Sequence, residues 1–584
     1  MKYKLLLCFI LVSFLSFGQV LPSTRAVNWS LAGYRGTIPN YSTVVDITAY
    51  GGLGDSTSAN DAALTNAVNA LSGADGIIYF PAGIYLFNAP VNLRSGLILR
   101  GAAPDSTRLK FDLGNSSNAI SISGSSSTTT ALLTSNGIKD SSYIYVDDAS
   151  GFTAGDYLKL SFNDSSLVFS NWAYGTVGQI IKIAAIAANK IILESPLRLS
   201  YDLLKNPKVT KLNMVTGVGI ECLKVHRADA TPGQTSTIVY TYAAQCWISG
   251  IESNLCNFGH IELNNSTNIS VKGSYFHDAH AYGGGGQGYG ILCQVTTGEC
   301  LFENNIFKHL RHSMLLQTGA NGNVFGYNYS LAPFWTEPSL PSNSAGDMVL
   351  HGNYPYSNLF EGNIGQNIVV DDSHGKNGPY NTFFRNRAEL YGIFLSNNPA
   401  SDNQNFIGNE VTNTGFTMGL YYMNGTGHFQ HGNNVKGTIY ASGTTTLLDN
   451  SYYYSGAPAF LLNLSSWPSI GIPNAISSGT IPAKQRYQVM NYTTCSMGIT
   501  TTIDAVASEE LNIFPNPSNG LLYINTDHTG SLRVSIYDYT GNIAVEYIVT
   551  GSQAIDITFL SKGIYIVKAA TDQKNYSPLK LVLQ

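Results

Sequence analysis

Between residues 302 and 409, apolar and polar positions recur around one unit, Phe-x-x-Asn, formed by Phe302/Asn305, Phe325/Asn328, Phe360/Asn363, Phe383/Asn386 and Phe406/Asn409. The asparagines step by 23 (305 to 328), 35 (328 to 363), 23 (363 to 386) and 23 (386 to 409), so a period of 23 residues is interrupted once by 12 more. This period is too short for a helical hairpin but holds three short strands and their turns, which predicts one coil of a parallel β-helix per unit. Residues at equal phase should then stand about 4.8 Å apart on neighbouring coils, with phenyl rings stacked inside and asparagine amides bonded along a turn. The pattern extends upstream as Val271/Ser274 and Ile251/Asn254, and downstream as Phe429/Asn433 with a one-residue bulge and as Leu447/Asn450. Two insertions interrupt it. One holds Tyr282 and the glycine run Gly283 to Gly286, the other Pro333, Phe334, Trp335, Glu337, Pro338 and Pro341. Both follow the asparagine strand, so both should emerge on one side, where solenoids usually gather their binding face.

Upstream of the repeat, Val44 to Tyr50 has strand character and Asn60 to Leu71 helical character. The apolar strand beginning at Gly76 then runs into Tyr79-Phe80-Pro81-Ala82-Gly83-x-Tyr85, and a strand and turn follow from Leu97 to Gly101. These residues resemble the N-terminal cap and first rungs of the pectate-lyase-like β-helix proteins, the rhamnogalacturonase or epimerase-like group. The resemblance implies a right-handed parallel β-helix whose helix plugs the open end, where an unpaired strand edge would otherwise invite aggregation. It speaks to fold rather than chemistry. From about Thr128 to Tyr201 the repeat gives way to alternating strands separated by Gly, Asp and Asn turns, which predicts a small antiparallel β insertion, either a structural decoration or a side wall that grips sugar. Coils should resume near Val209.

The last 75 or so residues change character again, with Leu511-Asn-Ile-Phe-Pro-Asn-Pro-Ser-Asn-Gly520, Thr540-Gly541-Asn542 and Leu560-Ser-Lys-Gly-Ile-Tyr-Ile-Val567. Their strand pattern predicts a small β-sandwich behind a Ser/Thr-rich linker. They closely resemble the C-terminal sorting domain of the type IX secretion system of Bacteroidetes, which implies an export address, cleaved at the end, and a protein delivered outside the outer membrane. The expected order is a signal peptide (1–18), an N-terminal extension (19–43), cap and first coils (44–127), β insertion (128–201), coils (202–490), linker (491–509) and sorting domain (510–584).

Composition narrows the partner. Charged residues make up 12% of the 584 residues, against about 25% in ordinary soluble proteins, and the surface must therefore be built from hydroxyls, amides and rings, which suit sugars. A formal net charge of -5 without a basic stripe argues against nucleic acid. Lys2, Lys4 and the apolar run Leu5 to Phe17 read as a secretory signal, and no other stretch approaches 18 apolar residues, so no membrane span is expected. Of the six cysteines left after export, none has the spacing of a zinc site; burial in the solenoid is the favoured reading, although the compartment permits disulfides.

Used as a ruler, the repeat gathers candidate chemistry. Twelve residues before the repeat asparagine stand His351 and His374, sixteen before it His312 and Asp347, and fourteen before it Asp372. The expected site is therefore His312, Asp347, His351, Asp372 and His374, with roughly 8 Å between Asp347 and Asp372. The alternative is a set of polar ladders satisfied inside the coil, although burying Asp372 beside Asp371 without a cation would be costly. The residues specify no cofactor and leave Ca²⁺ open; Asp371 with Asp372 would be the ligands if Ca²⁺ is used. A second cluster combines Lys308, His309, Arg311 and His312 with His277, Asp278 and His280 on the preceding coil.

These residues fit a lyase acting on an acidic polysaccharide. Arg311 and Lys308 would neutralise a uronate carboxylate, and His312 or His351 would take the C5 proton. The second reading is an inverting hydrolase, with Asp347 and Asp372 flanking the bond. Asp371-Asp372-Ser373-His374-Gly375 is similar to the Asp-Asp and Gly-His-Gly elements of polygalacturonase-type hydrolases, but the two are fused here and the family's other elements are missing, so no roles carry over. A third reading is a non-catalytic carbohydrate-binding surface protein, with Trp335, Tyr421, Tyr422 and Tyr452 to Tyr454 as stacking platforms. The first reading makes the chain a secreted or surface enzyme whose partners are its polysaccharide substrate and the type IX secretion machinery.

Overall fold

The computed structural model describes residues 19–337, 345–464, 467–495, 512–526, 530–538, 542–571, 576 and 579–584. The expected signal peptide, Pro338 and Pro341 of the second insertion, Leu511, Thr540, Gly541 and most of the linker lie outside the described residues. The chain divides into two compact units, Met1–Met497 and Gly498–Gln584. Among the described residues, no helix is long and apolar enough to cross a membrane.

The first unit is a parallel β-helix. Each coil carries three short strands, such as Leu301–Glu303, Ile306–Lys308 and His312–Leu316, joined by tight turns. Among the described residues, the first strands form a 12-stranded parallel sheet, while the second and third strands merge around a corner into one sheet of 21. The repeat phenylalanines point inward from the first sheet, with ring centroids 4.5, 5.2, 5.0 and 5.0 Å apart from Phe302 to Phe406. All four pairs come within 26° of parallel and the last two within 4°.

The repeat asparagines turn the chain from the first strand into the second, where a buried backbone bend needs side-chain partners. Each amide bridges two neighbours. Asn363 Oδ1 accepts the Asn328 N–H and Nδ2–H, both at 2.9 Å, while its Nδ2 donates to Phe325 O (2.8 Å) and Asn386 Oδ1 (2.9 Å). The ladder runs to Asn433, whose Oδ1 accepts the Asn409 N–H at 3.0 Å, so the bulged rung belongs to it. Upstream the phase shifts. Ile248 pairs with Val271, and the Ile251 N–H bonds Ser274 Oγ at 3.2 Å, which makes Ile248/Ile251 the rung rather than Ile251/Asn254. Leu447 and Asn450 form no rung; they belong to a strap that runs back along the solenoid. A second amide ladder, Asn323–Asn358–Asn381–Gln404, stabilises the turn entering the first sheet. Its sequence signal, an amide two residues before Phe325, Phe360, Phe383 and Phe406, is plain once the turn is known.

The open end is capped by the helix Asp61–Ala70, which buries Ala63, Leu64 and Ala67. The insertion is a six-stranded antiparallel sheet from Ser125–Leu132 to Lys208–Asn213. Its last strand pairs antiparallel with Tyr157–Ser161 and Ser125–Leu132. The coils thus resume after Asn213 rather than at Val209, because Val209 and Leu212 face the insertion's own apolar clusters.

Two segments without any repeat cover the outside. Residues 19–43 lie across the outer face of the first sheet, with Leu21, Trp29 and Ala32 packed on Leu301, Val324, Leu359, Phe384 and Ile407. After the last coils the strap covers the second strands through Leu461, Ile481 and Ala483. It ends in a disulfide between Cys495 and Cys222. The expectation of buried thiols holds for Cys246, Cys256, Cys293 and Cys300 and fails for this pair. With the first and second strands covered, the outer face of the third strands is where a ligand could lie. The second unit, by itself, stacks a three-stranded and a four-stranded antiparallel sheet on a core of Leu522, Ile524, Val534, Ile536, Val567 and Leu581.

Candidate functional site

On the third strands, the residues facing the interior are Met314, Leu316, Met348, Leu350, Ile368 and Val370. The alternate positions face outward. Two outward columns follow. Leu292, Leu315 and Val349 form an apolar one. Beside it runs a polar row of Asn264, Gln294, Gln317, His351 and Asp371, each one residue beyond a paired position of its neighbour. Gln317 Nε2 donates to Gln294 Oε1 (2.5 Å) and Gln294 Nε2 to Glu262 Oε1 (2.9 Å).

His351 and Asp371 continue this row as a hydrogen-bonded dyad. The Nδ1–H of His351 donates to Asp371 Oδ2, while Ser373 N–H holds the other carboxylate oxygen at 3.1 Å. Burial raises the Asp371 carboxyl, but the His351 charge and hydrogen bond outweigh it and hold it below the usual carboxylate range. The His351 ring lies 5.4 Å from that of His312 and 5.0 Å, edge to face, from that of His374. His312 and His351 are nearly enclosed, at 7% and 5% exposure, whereas His374 is half-buried. Burial, then the neighbouring His351, pushes both His312 and His374 below the ordinary imidazole value, His312 strongly. His312 Nδ1 faces Gly346 O at 3.3 Å. No protein group occupies Nε2 of His312 or His351 among the described residues.

The two aspartates sit differently from the expectation. Met314 pairs with Met348, so Asp347 lies opposite Ser313, one residue out of phase with His312, and a one-residue slip moves a strand side chain to the other face. Asp347 is fully buried and its carboxylate is saturated. It accepts from Ser330 Oγ (2.5 Å), Ser313 Oγ (3.5 Å), Gln366 N–H (2.5 Å) and Asn367 N–H (3.0 Å). Burial nevertheless pushes it up to about 6. Val349 pairs with Val369, which leaves Asp372 three residues beyond the expected position, where its carboxylate accepts the Asn398 N–H at 2.7 Å. Asp371 and Asp372 thus make separate hydrogen bonds, and no cluster of three His, Cys, Asp or Glu side chains suited to a metal occurs among the described residues.

The corner between the second and third strands carries the second cluster. Each coil turns it through a left-handed residue, Leu255, Asp278, His309 and Ala332, with φ of 57°, 59°, 53° and 51°. Asp278 Oδ2 bonds His277 Nδ1 (2.8 Å) and Oδ1 bonds His309 Nδ1 (3.0 Å). These bonds, the one from His277 first, hold Asp278 at about 2. His277 is pressed down by burial, but Asp278 and Glu252 on its two nitrogens raise it above the ordinary value. Tyr282 OH stands 3.0 Å from His309 Nδ1, and Phe334 packs on the His309 ring at 5.2 Å. The two insertions do emerge together. Thr336 N–H bonds Tyr282 O at 3.2 Å and Gly284 N–H bonds Glu337 Oε1 at 3.1 Å.

Arg311 follows on the same corner, its guanidinium 4.8 Å over Trp335 and 5.7 Å over Tyr289, with NH1 donating to Gly283 O at 2.6 Å. The buried Arg311 Nε and Trp335 Nε1 have no partner among the described residues. Lys308 stands on the outer face of the second strand beside His277. Tyr421 is remote from this face: it packs against the end of the coil core and bonds Gln430 Oε1 at 2.8 Å.

A parallel β-helix with a polar row, three imidazoles and a flanking arginine on its uncovered face is the class that fold and geometry define. Residues 44–155, which hold the N-terminal cap, the first coils and the start of the insertion, match the family described as rhamnogalacturonase A/epimerase, pectate lyase-like. Residues 512–584 match a secretion system C-terminal sorting domain, the type IX kind, which marks a secreted or cell-surface protein that passes through that machinery. Solved structures of similar fold include the tailspike of an Acinetobacter baumannii bacteriophage in complex with a capsular saccharide, at 13% identity over 67% of this chain and 71% of that one, TM-score 0.38. A Pseudomonas phage tailspike matches at 12% identity over 92% and 98%, TM-score 0.40. A hyperthermoactive exopolygalacturonase from Thermotoga maritima matches at 10% identity over 68% and 94%, TM-score 0.36. No curated protein matches the chain.

Proposed function

We propose that this protein is a secreted enzyme that depolymerises an acidic polysaccharide by β-elimination, with His351 as the base. The observation that carries the reading is the His351–Asp371 hydrogen bond on the uncovered face. A carboxylate holding Nδ1–H fixes the tautomer and leaves Nε2 as the lone-pair nitrogen, the arrangement a general base needs. His312 and His374, both favoured in the neutral form, flank it without adding positive charge that would oppose its protonation.

In this scheme the substrate carboxylate lies toward the Arg311 guanidinium, whose positive charge stabilises the enolate-like oxygen. His351 Nε2 takes the C5 proton. The C–H electrons form the C4–C5 double bond, the C4–O4 bond breaks, and O4 recovers a proton from the imidazolium just formed.

The inverting-hydrolase reading needs two carboxyls facing one bond across the bound water. Asp347 is enclosed and saturated by four donors, which favours the lyase. The test is turnover of a panel of acidic polysaccharides, followed by the ultraviolet absorbance of an unsaturated uronate and, separately, by new reducing ends. Absorbance that falls about 10²–10⁴-fold in His351→Ala supports the proposal. Reducing ends without absorbance favour the hydrolase, and retention of polysaccharide with neither signal favours a binding protein. Wild-type absorbance in His351→Ala rules out the assigned base.

A further inference from the structure

The six-stranded insertion sends one segment, residues 164–177, toward the candidate site, and its placement follows the solenoid axis. Thr176 O accepts the Thr296 Oγ–H at 2.5 Å. A Cβ on Gly319 (φ +69°) would meet Thr176 O at 2.1 Å, so glycine is required for the close approach. Asn353 Oδ1 accepts the N–H groups of Phe169 (2.9 Å) and Ser170 (3.0 Å). A Cβ on Gly375 (φ +75°) would strike Phe169 Cβ at 2.5 Å. Residues 296, 319, 353 and 375 belong to the turns of four successive coils, each just beyond the polar row of Gln294, Gln317, His351 and Asp371. The segment is therefore a wall running parallel to that row.

The wall is held firmly, yet it presents rings to solvent. Asp164 accepts the N–H groups of Gly175 and Val177, both at 2.8 Å, closing the segment on itself. Phe169, Trp172 and Tyr174 nevertheless stay 70%, 57% and 51% exposed. Three large rings held outward within six residues are a costly arrangement unless something covers them. The Trp172 ring meets the His374 ring edge-on at 5.7 Å, so this apolar surface is continuous with the imidazole cluster.

We infer that this wall is a carbohydrate subsite in which Trp172, assisted by Phe169, stacks on the apolar C–H face of a pyranose while the hydroxyl edges of the same chain meet the amide row. A glycan is the ligand this pairing selects. A pyranose chain offers an apolar ring face and a polar edge together, and the amides of the row recur once per coil, about 4.8 Å apart. A peptide strand would need an unpaired backbone edge, and the third strands offer none here because each is paired on both sides. The inference rests on a glycan occupying the uncovered face, as proposed above, but not on that glycan being cleaved.

The experiment uses the full chain carrying His351→Ala, so that binding can be read apart from turnover, and measures retardation in gels containing polygalacturonate or alginate. Adding Trp172→Ala should weaken binding about two- to tenfold, in line with the loss of one stacked ring. Trp172→Phe should recover part of it, and Phe416→Ala, which removes a fully exposed ring on the late coils, should leave binding unchanged. Undiminished binding in Trp172→Ala overturns the inference, as does an equal loss in Phe416→Ala or no retardation of the His351→Ala parent by either polymer. If His351→Ala still cleaves while Trp172→Ala binds weakly, the assigned base is wrong and the wall stands.

Discussion

Asn363→Ala tests the idea that the amide ladder, and not the phenyl stack alone, holds the coils in register. Asn363 is fully buried, and the substitution removes four hydrogen bonds, to the Asn328 N–H, Asn328 Nδ2, Phe325 O and Asn386 Oδ1. Asn328 Nδ2 keeps its bond to Phe302 O at 2.9 Å, and Asn386 Oδ1 keeps the Asn363 N–H at 3.0 Å. The Asn328 N–H and the Phe325 carbonyl, however, lose these partners inside the coil. Four bonds at a net worth of about 1 kcal/mol each give roughly 4 kcal/mol. The cost of stranding two buried backbone groups at about 1–3 kcal/mol each gives the same figure. The apparent unfolding free energy of the β-helix unit in guanidinium, followed by far-ultraviolet circular dichroism, should drop by about that amount, with faster hydrogen exchange at the amides around residues 328 and 363. Asn433→Ala, at the end of the ladder, should cost less, because its coil can open without its neighbours. A loss below about 1 kcal/mol for Asn363→Ala would mean the amides are spectators and the ring stack sets the register.

Two further outcomes follow from buried groups away from the site. Asp347 is pushed up to about 6 from an ordinary 3.8; the folded state therefore binds this proton more tightly than the unfolded chain, and stability is lost as pH rises from about 4 through 6, by roughly 3 kcal/mol in total. Asp347→Asn should flatten that part of the stability–pH curve. A curve with unchanged slope refutes the assignment. Cys495→Ser should release the strap that ends beside Cys222, raising hydrogen exchange in the helix Pro482–Gln488 while leaving exchange at the central asparagine ladder unchanged; global loss of protection would show instead that the strap supports every coil.

The repeat was legible because an interior position has one solution per coil: a ring that stacks on its copies, or an amide that can both donate and accept along the axis. Register was not equally legible. The ruler counted residues, but the insertion before Gly346 lengthens its coil to 35 residues between asparagines, and the altered turn after Val370 shifts the third strand within a coil whose total stays 23. Asp347 was thus misplaced by one position and Asp372 by three, enough to put Asp347 on the other side of its strand. His351 and His374 remained neighbours because they lie at a turn, where the chain re-enters phase, and the carboxylate that His351 meets proved to be Asp371 rather than Asp372. The Trp172 wall, the extension over residues 19–43 and the Cys222–Cys495 bridge carry no period at all. Their partners lie hundreds of residues away, and nothing local in the sequence points to them.

The extension also reorders how this chain must fold. Val20 N–H reaches Asp449 Oδ2 across 429 residues, and Arg25 reaches Asn405 across 380. A solenoid whose units touch only their neighbours can grow from either end as it is synthesised. Here the residues made early find no seat until coils made several hundred residues later exist, so the last docking step is among the most non-local the chain could have and cannot precede synthesis of Asp449. A chain that stops short leaves Leu21 and Trp29 unseated and one flank of the first sheet bare. The closed latch therefore reports one thing that no single coil can: that the chain has been made at least as far as Asp449.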